Sequence, residues 1–78
     1  MNLQQAIKYR VLNLCKENNT TINGLAMLSG ISQSTVNSLI DGSSKNPKIL
    51  TILRICLGLN MNLKDFFDDP IFKNLEDE

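Results

Sequence analysis

Four polar side chains near the middle of the chain have the spacing of one helix face. Gln33 and Asn37 carry amides four residues apart, and Ser34 and Ser38 follow them directly. Residues four apart lie on the same side of a helix, so these side chains would form one polar strip. Amides can pair in bidentate fashion with adenine, and serine hydroxyls can serve several bases. The chemistry available to this strip is hydrogen bonding, and A·T-containing base pairs are suitable partners for it.

The composition argues against catalytic and metal chemistry. The 78 residues include no histidine, which excludes histidine general bases, Ser-His triads and most transition-metal sites. Cys15 and Cys56 lie far apart without a CxxC pairing, so we interpret them as small buried hydrophobes in a reducing cytosol. Asp65, Asp68 and Asp69 form a carboxylate cluster without His or Cys beside it, which is typical of a solvated acidic end. We expect no enzyme activity, no cofactor and no small-molecule ligand.

Helices must position the polar strip, because apolar residues recur at helical intervals and no alternating strand pattern is present. The spacing of Leu3, Ile7, Val11 and Leu14 predicts a first helix that ends at Glu17. Caps and breakers divide the remainder into four further helices, at about Thr21–Ser29, Ser32–Asp41, Pro47–Leu59 and Asn62–Phe67. We predict an all-α fold, with one domain at residues 1–69 and an acidic C-terminal tail at residues 70–78.

The second and third helices meet the packing demands of a helix-turn-helix over residues 21–40. Ala26 is small enough for the point where the two helices touch, Gly30 tolerates a positive φ, and Ile31 can fill the corner. Val36 and Leu39 are three residues apart and give the third helix a buried stripe. The pattern alone leaves open an ordinary helical hairpin inside a five-helix bundle.

The sequence from Thr21 to Phe67 resembles the Cro/repressor-type helix-turn-helix family, also called the xenobiotic-response-element family of transcriptional regulators. The resemblance covers about residues 7–67. It is carried by Leu25-Ala26, Gly30-Ile31-Ser32, Gly42 with Pro47, and the residues from Thr51 through Leu59. It implies a five-helix lambda-repressor-like DNA-binding domain whose third helix reads the major groove as part of a dimer. The base-reading candidates are then Gln33, Ser34, Asn37 and Ser38.

Three features depart from the family pattern. The family often has Gln as the second residue of helix two, where it braces a phosphate and the reading helix, but this chain has Ile22. The family often has Glu near the end of the reading helix, where this chain has Ile40. The reading helix also lacks Arg and Lys. These departures predict weak DNA binding by a single copy of the chain.

Candidate phosphate contacts lie at helix N-termini and in the segment after helix three, where the family commonly touches the DNA backbone. They are Thr21, Asn23, Ser32, Ser43, Ser44, Lys45, Asn46 and Lys48. The alternative for Thr21 and Ser32 is that they only cap their helices. Likewise, the polar strip on helix three could be an ordinary solvated face. We expect Lys8 and Arg10 to be surface residues, unless Arg10 pairs with an acid near the C-terminus.

Charge is distributed unevenly although the net charge is zero. Residues 1–54 contain six basic and two acidic residues, whereas residues 55–78 contain two basic and six acidic residues. This asymmetry fits a basic binding face with an acidic opposite end. No stretch approaches the roughly 20 apolar residues of a membrane span, and no signal peptide is evident, so we expect a cytoplasmic protein that acts without a membrane.

Leu50 and Leu57 lie seven residues apart on the fourth helix, at positions that are usually polar in the family. With Ile49 and Leu53 facing inward, they predict a second apolar stripe that serves as a dimer or partner surface. The alternative is that the tail folds back and covers them. We expect a bacterial or phage transcriptional regulator that acts as a repressor and binds double-stranded DNA as a homodimer. The alternative function is a protein-interaction module of the same fold, such as an antitoxin or phage modulator.

Overall fold

Five α-helices follow one another in the computed structural model, which describes residues 1–43 and 46–77. They are α1 (Leu3–Glu17), α2 (Ile22–Ser29), α3 (Gln33–Ile40), α4 (Ile49–Gly58) and α5 (Leu63–Phe67), and a 3-10 helix at Pro70–Phe72 follows them. Within the described residues, β-pairing is limited to an isolated bridge between Asn2 and Glu76. The all-α prediction is therefore confirmed. No helix in this part of the chain combines the length and apolar character needed to cross a membrane.

Polar caps explain where most of the helices begin. The side chains of four cap residues each accept a hydrogen bond from the backbone N–H three residues later, and these caps are Asn2, Thr21, Ser32 and Asn62. Each such bond satisfies an N–H group that has no partner inside the helix. The predicted bounds of the first helix and the predicted caps Thr21 and Ser32 are confirmed.

The fourth helix is shorter than predicted and exposes a residue that we expected inside. Lys48 has an extended backbone and caps the helix, so α4 begins at Ile49 rather than at Pro47. The buried stripe runs through Ile52, Ile55 and Cys56. Ile49 stands in the first turn, where no preceding turn of helix can pack beside it, and it is 59% exposed. The expectation that Ile49 faces inward is therefore wrong, and Leu53 is only half-buried.

The core forms where α1, α2, α3 and α4 converge on Phe66 of α5. Phe66 is fully buried, and the other large, fully buried side chains are Val11, Leu25, Val36, Ile52, Ile55 and Cys56. Cys15 and Cys56 are both buried and free, as predicted. Burial raises the pKa of both thiols, because the thiolate form loses solvation there.

Arg10 lies inside the molecule, contrary to the expectation of a surface position. Its guanidinium donates hydrogen bonds to the carbonyl oxygens of Phe66 at 2.8 Å and Asp65 at 2.9 Å. Its Nη1 atom lies 3.3 Å from a carboxylate oxygen of Asp69. The residue is only 8% exposed, because α1 turns this position toward the end of α5. The alternative expectation, a pair with an acid near the C-terminus, is confirmed.

The residues after α5 pack against the start of the chain and against the aromatic side chains of α5. The Phe72 ring centroid lies 6.0 Å from that of Phe66 and 5.1 Å from that of Phe67. Further on, the Glu76 backbone N–H donates to the Met1 carbonyl at 3.1 Å. This path leaves Leu50 and Leu57 on α4 uncovered, at 51% and 65% exposure. The alternative in which the tail covers these leucines is therefore wrong.

Candidate nucleic-acid interface

A three-residue corner joins α2 to α3 and sets the direction of the reading helix. Gly30 has a φ of 67°, in the left-handed region that glycine adopts without steric cost. The Ile31 backbone N–H donates to the Ala26 carbonyl at 3.1 Å, which closes the end of α2. Ala26 is buried and Ile31 packs against the core. The predicted helix-turn-helix corner is confirmed in each of these features.

The α3 helix presents polar residues on the side away from its buried stripe. Val36 and Leu39 are buried in the core. Gln33, Ser34 and Asn37 are exposed, and Ser38 is half-buried. The fold thus places the four base-reading candidates on an accessible surface of α3. Their contact with bases stays a prediction.

The side chains of this polar surface differ in how they are engaged. The Ser38 hydroxyl donates to the Ser34 carbonyl at 2.9 Å, and the Ser34 and Ser32 hydroxyl oxygens lie 3.2 Å apart. No hydrogen bond within the described residues engages the amides of Gln33 or Asn37. These two amides are therefore the groups on α3 with the most unused hydrogen-bonding capacity.

The phosphate candidates at the helix starts serve as caps in the free protein. The Thr21 hydroxyl accepts from the Gly24 backbone N–H at 3.0 Å. The Ser32 hydroxyl accepts from the Thr35 backbone N–H at 3.2 Å and lies 2.8 Å from the Thr35 hydroxyl. Asn23 is exposed on the first turn of α2. Capping by Thr21 and Ser32 is compatible with a phosphate contact, since a helix start presents several backbone N–H groups.

The segment between α3 and α4 holds the remaining phosphate candidates. Ser43, Asn46 and Lys48 are exposed, whereas Ser44 and Lys45 lie outside the described residues. The Ser43 backbone N–H donates to the Asp41 carboxylate at 2.8 Å. Hydrogen bonds from the Ser43 hydroxyl and backbone hold the pKa of the Asp41 carboxyl below its ordinary value. The start of this segment is therefore folded into a turn.

Two residues near this surface were missed at the level of sequence. Gln4 of α1 donates from its amide to the Gly42 carbonyl at 2.8 Å, across 38 positions of sequence. Arg54 of α4 borders the groove between the α2–α3 corner and α4, which Ser32, Thr35 and Ser38 also line. Helical periodicity places both residues on their helices, but no local pattern indicates what they lie beside.

Leu28 of α2 and Leu50 and Leu57 of α4 are leucines with exposed side chains. Their side chains are 56%, 51% and 65% exposed. The backbones of α2 and α4 approach closely, because a Cβ atom at Gly58 would lie only 2.7 Å from the Leu28 carbonyl oxygen. Leu28 was not among the residues predicted for this surface.

The five-helix fold, with its tight α2–α3 corner and exposed α3, defines the class of helix-turn-helix DNA-binding domains. The model of the Cro/C1-type HTH DNA-binding domain matches residues 10–70, and the chain belongs to this family. It is also similar to a solved structure described as "Crystal structure of the prophage Lp1 protein 11". That protein is 37% identical, with a TM-score of 0.82, and the match covers 96% of this chain and 100% of that chain. No curated protein matches the sequence significantly.

These comparisons confirm the family resemblance and the lambda-repressor-like fold. Membership of a DNA-binding family assigns to the chain binding of double-stranded DNA and a role in transcription regulation. The prophage protein is consistent with a bacterial or phage origin.

Proposed function

We propose that this protein is a sequence-specific transcriptional repressor that reads the DNA major groove with α3 and binds as a homodimer. The observation that carries the proposal is the pair of exposed amides on α3, Gln33 and Asn37, opposite the buried Val36 and Leu39. A helix in the major groove reads base edges with such side chains. Ser34 and Ser38 would add contacts beside them.

Phosphate contacts would orient α3 without adding sequence information. We assign them to the starts of α2 and α3, through Thr21, Asn23 and Ser32, and to the segment of residues 43–48. In the described part of that segment, Ser43, Asn46 and Lys48 are exposed and available. Lys45, which lies outside the described residues, would contribute a positive charge. The protein would carry out this function in the cytoplasm.

The proposed dimer follows from the modest binding power of a single domain. The reading helix carries no Arg or Lys, so each half-site gains little electrostatic attraction. Two copies related by a two-fold axis would read two half-sites about one helical turn apart. The exposed leucines of α2 and α4, Leu28, Leu50 and Leu57, support self-association, since exposed apolar surface commonly marks interfaces.

Selection of bound sequences from a random DNA pool tests the proposal directly. We expect enrichment of two inverted half-sites that contain adenine at positions facing Gln33 and Asn37. The centres of the half-sites should lie about 10 base pairs apart, or a multiple of that. Enrichment of one unpaired half-site would contradict the dimer, and recovery of random sequence would contradict specific reading.

A second candidate function is a protein-interaction module that binds DNA weakly or not at all, such as an antitoxin or a phage modulator. The specific observation in its favour is the set of exposed leucines on α2 and α4, together with a reading helix without cationic side chains. A gel shift on A·T-rich DNA at increasing salt separates the two functions. The repressor should bind at low salt and weaken steeply as salt rises, whereas no shift at low salt would favour the interaction module.

A further inference from the structure

We infer that Gln4 is a positioning residue for DNA binding, because it holds the peptide unit through which the chain leaves the reading helix. The inference rests on the proposed function, in which the segment after α3 contacts phosphate. It adds to that function a residue from α1, which lies outside the helix-turn-helix.

The Gly42–Ser43 peptide unit is held at both of its polar atoms. Its carbonyl oxygen accepts a hydrogen bond from the Gln4 Nε2 atom at 2.8 Å. Its N–H group, which belongs to Ser43, donates to the Asp41 carboxylate at 2.8 Å. A planar peptide unit that is hydrogen-bonded at both its carbonyl oxygen and its N–H group can rotate little about the neighbouring bonds. Asp41 lies within the turn itself, whereas Gln4 joins the turn to α1.

The start of α1 is well suited to act as this anchor. Asn2 and Gln5 form a capping box, with a 2.9 Å bond from the Gln5 backbone N–H to the Asn2 side chain and a 3.0 Å bond in return. Ala6 and Ile7, which follow two and three residues after Gln4, are buried. Gln4 therefore projects from a capped helix end that is packed into the core.

Glycine at position 42 allows the turn that brings this carbonyl to Gln4. Its φ is 86°, a conformation that residues with a Cβ rarely adopt. The Gln4 amide then gives this exposed carbonyl a partner within the protein. A bound DNA phosphate would meet Ser43 in an orientation already set, so less ordering would be needed on binding.

The test compares Gln4→Met with Gln5→Met, because both substitutions remove a hydrogen bond at the start of α1. Only Gln4→Met frees the Gly42 carbonyl. The readouts are amide hydrogen exchange of Ser43 in the free protein and the dissociation constant for the selected DNA site and for unrelated DNA. For Gln4→Met we expect Ser43 exchange to rise by about 3- to 10-fold, the range for loss of one hydrogen bond.

The dissociation constant of Gln4→Met should rise by a similar factor, about 3- to 10-fold, on selected and unrelated DNA alike, since backbone contacts carry no sequence information. Gln5→Met keeps both the cap bond from the residue 5 backbone N–H to Asn2 and the bond from Gln4 to Gly42, so it should leave both readouts unchanged even where it lowers the melting temperature. Two results for Gln4→Met would overturn the inference. One is Ser43 exchange as slow as in the parent, and the other is an unchanged DNA affinity when the parent binds DNA. If the parent fails to bind DNA, the proposed function fails, and raised Ser43 exchange in Gln4→Met beside unchanged exchange in Gln5→Met would show that Gln4 holds the turn without a role in DNA binding.

Discussion

At the scale of single residues, the contacts of Arg10 lead to the most specific prediction about stability. Its guanidinium is bonded to the carbonyl oxygens of Asp65 and Phe66 and paired with Asp69. Arg10→Met would remove a buried cation from two carbonyl oxygens and from the carboxylates of Glu17 and Asp69. We expect the free energy of unfolding to fall by about 2–4 kcal/mol, measured by urea denaturation at pH 7.

Lys8→Met is the matched control for Arg10, since it removes a cation from the same helix. Lys8 is half-buried and close to the Tyr9 ring, at 5.5 Å from the ring centroid. We expect its loss to change the free energy of unfolding by no more than about 0.5 kcal/mol. Equal effects of the two substitutions would show that the Arg10 contacts contribute nothing beyond charge.

Gln33 is the residue whose removal should alter sequence preference. The Gln33 amide is exposed near the start of α3, and a bidentate pair with adenine discriminates against other bases. Gln33→Ala should relax the preference at one base position and weaken binding to the selected site by about 1–3 kcal/mol. Competition binding with site variants measures this effect, and an unchanged preference would remove Gln33 from the reading set.

The roles of some residues could be predicted from the sequence and those of others could not, for physical reasons. Ala26 and Gly30 could be assigned because each meets a local steric demand of the α2–α3 corner. The Gln4 contact could not, because its partner lies 38 residues away. Arg10 was expected at the surface, and its pairing with a distant acid was only the alternative, because its partners lie at the other end of the chain. A side chain's local sequence indicates its helix face, whereas its partner across the fold depends on how the helices pack.

At the scale of the helices, Gly58 controls how closely α4 approaches α2. A Cβ atom at residue 58 would lie 2.7 Å from the Leu28 carbonyl oxygen and 3.0 Å from the Ser29 Cα atom. These are backbone atoms, which move only if the helices separate. Gly58→Ala should therefore lower the free energy of unfolding by about 1–3 kcal/mol, as overpacking typically does, measured by urea denaturation.

Gly24→Ala is the control for Gly58, because it also adds one methyl group to a helical glycine. The new Cβ would meet the hydroxyl of Thr20, a side-chain atom that can rotate away. Alanine favours the helix over glycine by roughly 0.5–1 kcal/mol. We expect Gly24→Ala to be neutral or stabilising, and a loss as large as that of Gly58→Ala would contradict the close-approach explanation.

The helix bounds could be predicted well wherever a side chain caps the helix. Thr21, Ser32 and Asn62 each mark a helix start and each accepts the expected backbone hydrogen bond. The start of α4 was misplaced because Lys48 caps it through backbone conformation alone, without a side-chain bond. Proline at position 47 is compatible with a first helical turn, but it is equally compatible with an extended segment that precedes a helix.

At the scale of the whole molecule, the charge asymmetry is weaker than the sequence indicates. Arg10 is one of the six basic residues in residues 1–54. Its guanidinium is buried and already bound to Asp65, Phe66 and Asp69 inside the fold. The basic residues left to attract DNA phosphates are Lys8, Lys16, Lys45, Lys48 and Arg54. A single domain therefore has a modest electrostatic contribution to binding, which increases the advantage of a dimer.

The exposed leucines on α2 and α4 lead to a prediction about assembly. Leu57 is 65% exposed on α4, so Leu57→Glu places a charge on the surface without burying it in the monomer. We expect the variant to fold with an unchanged melting temperature at low concentration and to lose self-association in analytical ultracentrifugation. Its affinity for a two-half-site operator should fall by at least 10-fold, because the second half-site would no longer be held near the first.

Leu3→Glu is the control for this prediction, since Leu3 is 49% exposed on α1 rather than on α2 or α4. It introduces the same charge, so any general repulsion from DNA would act on both variants, and only Leu57→Glu should lose the advantage of two half-sites over one. A parent protein that sediments as a monomer at high concentration would contradict the dimer at once. A dimer that persists in Leu57→Glu would instead locate the interface away from Leu28, Leu50 and Leu57.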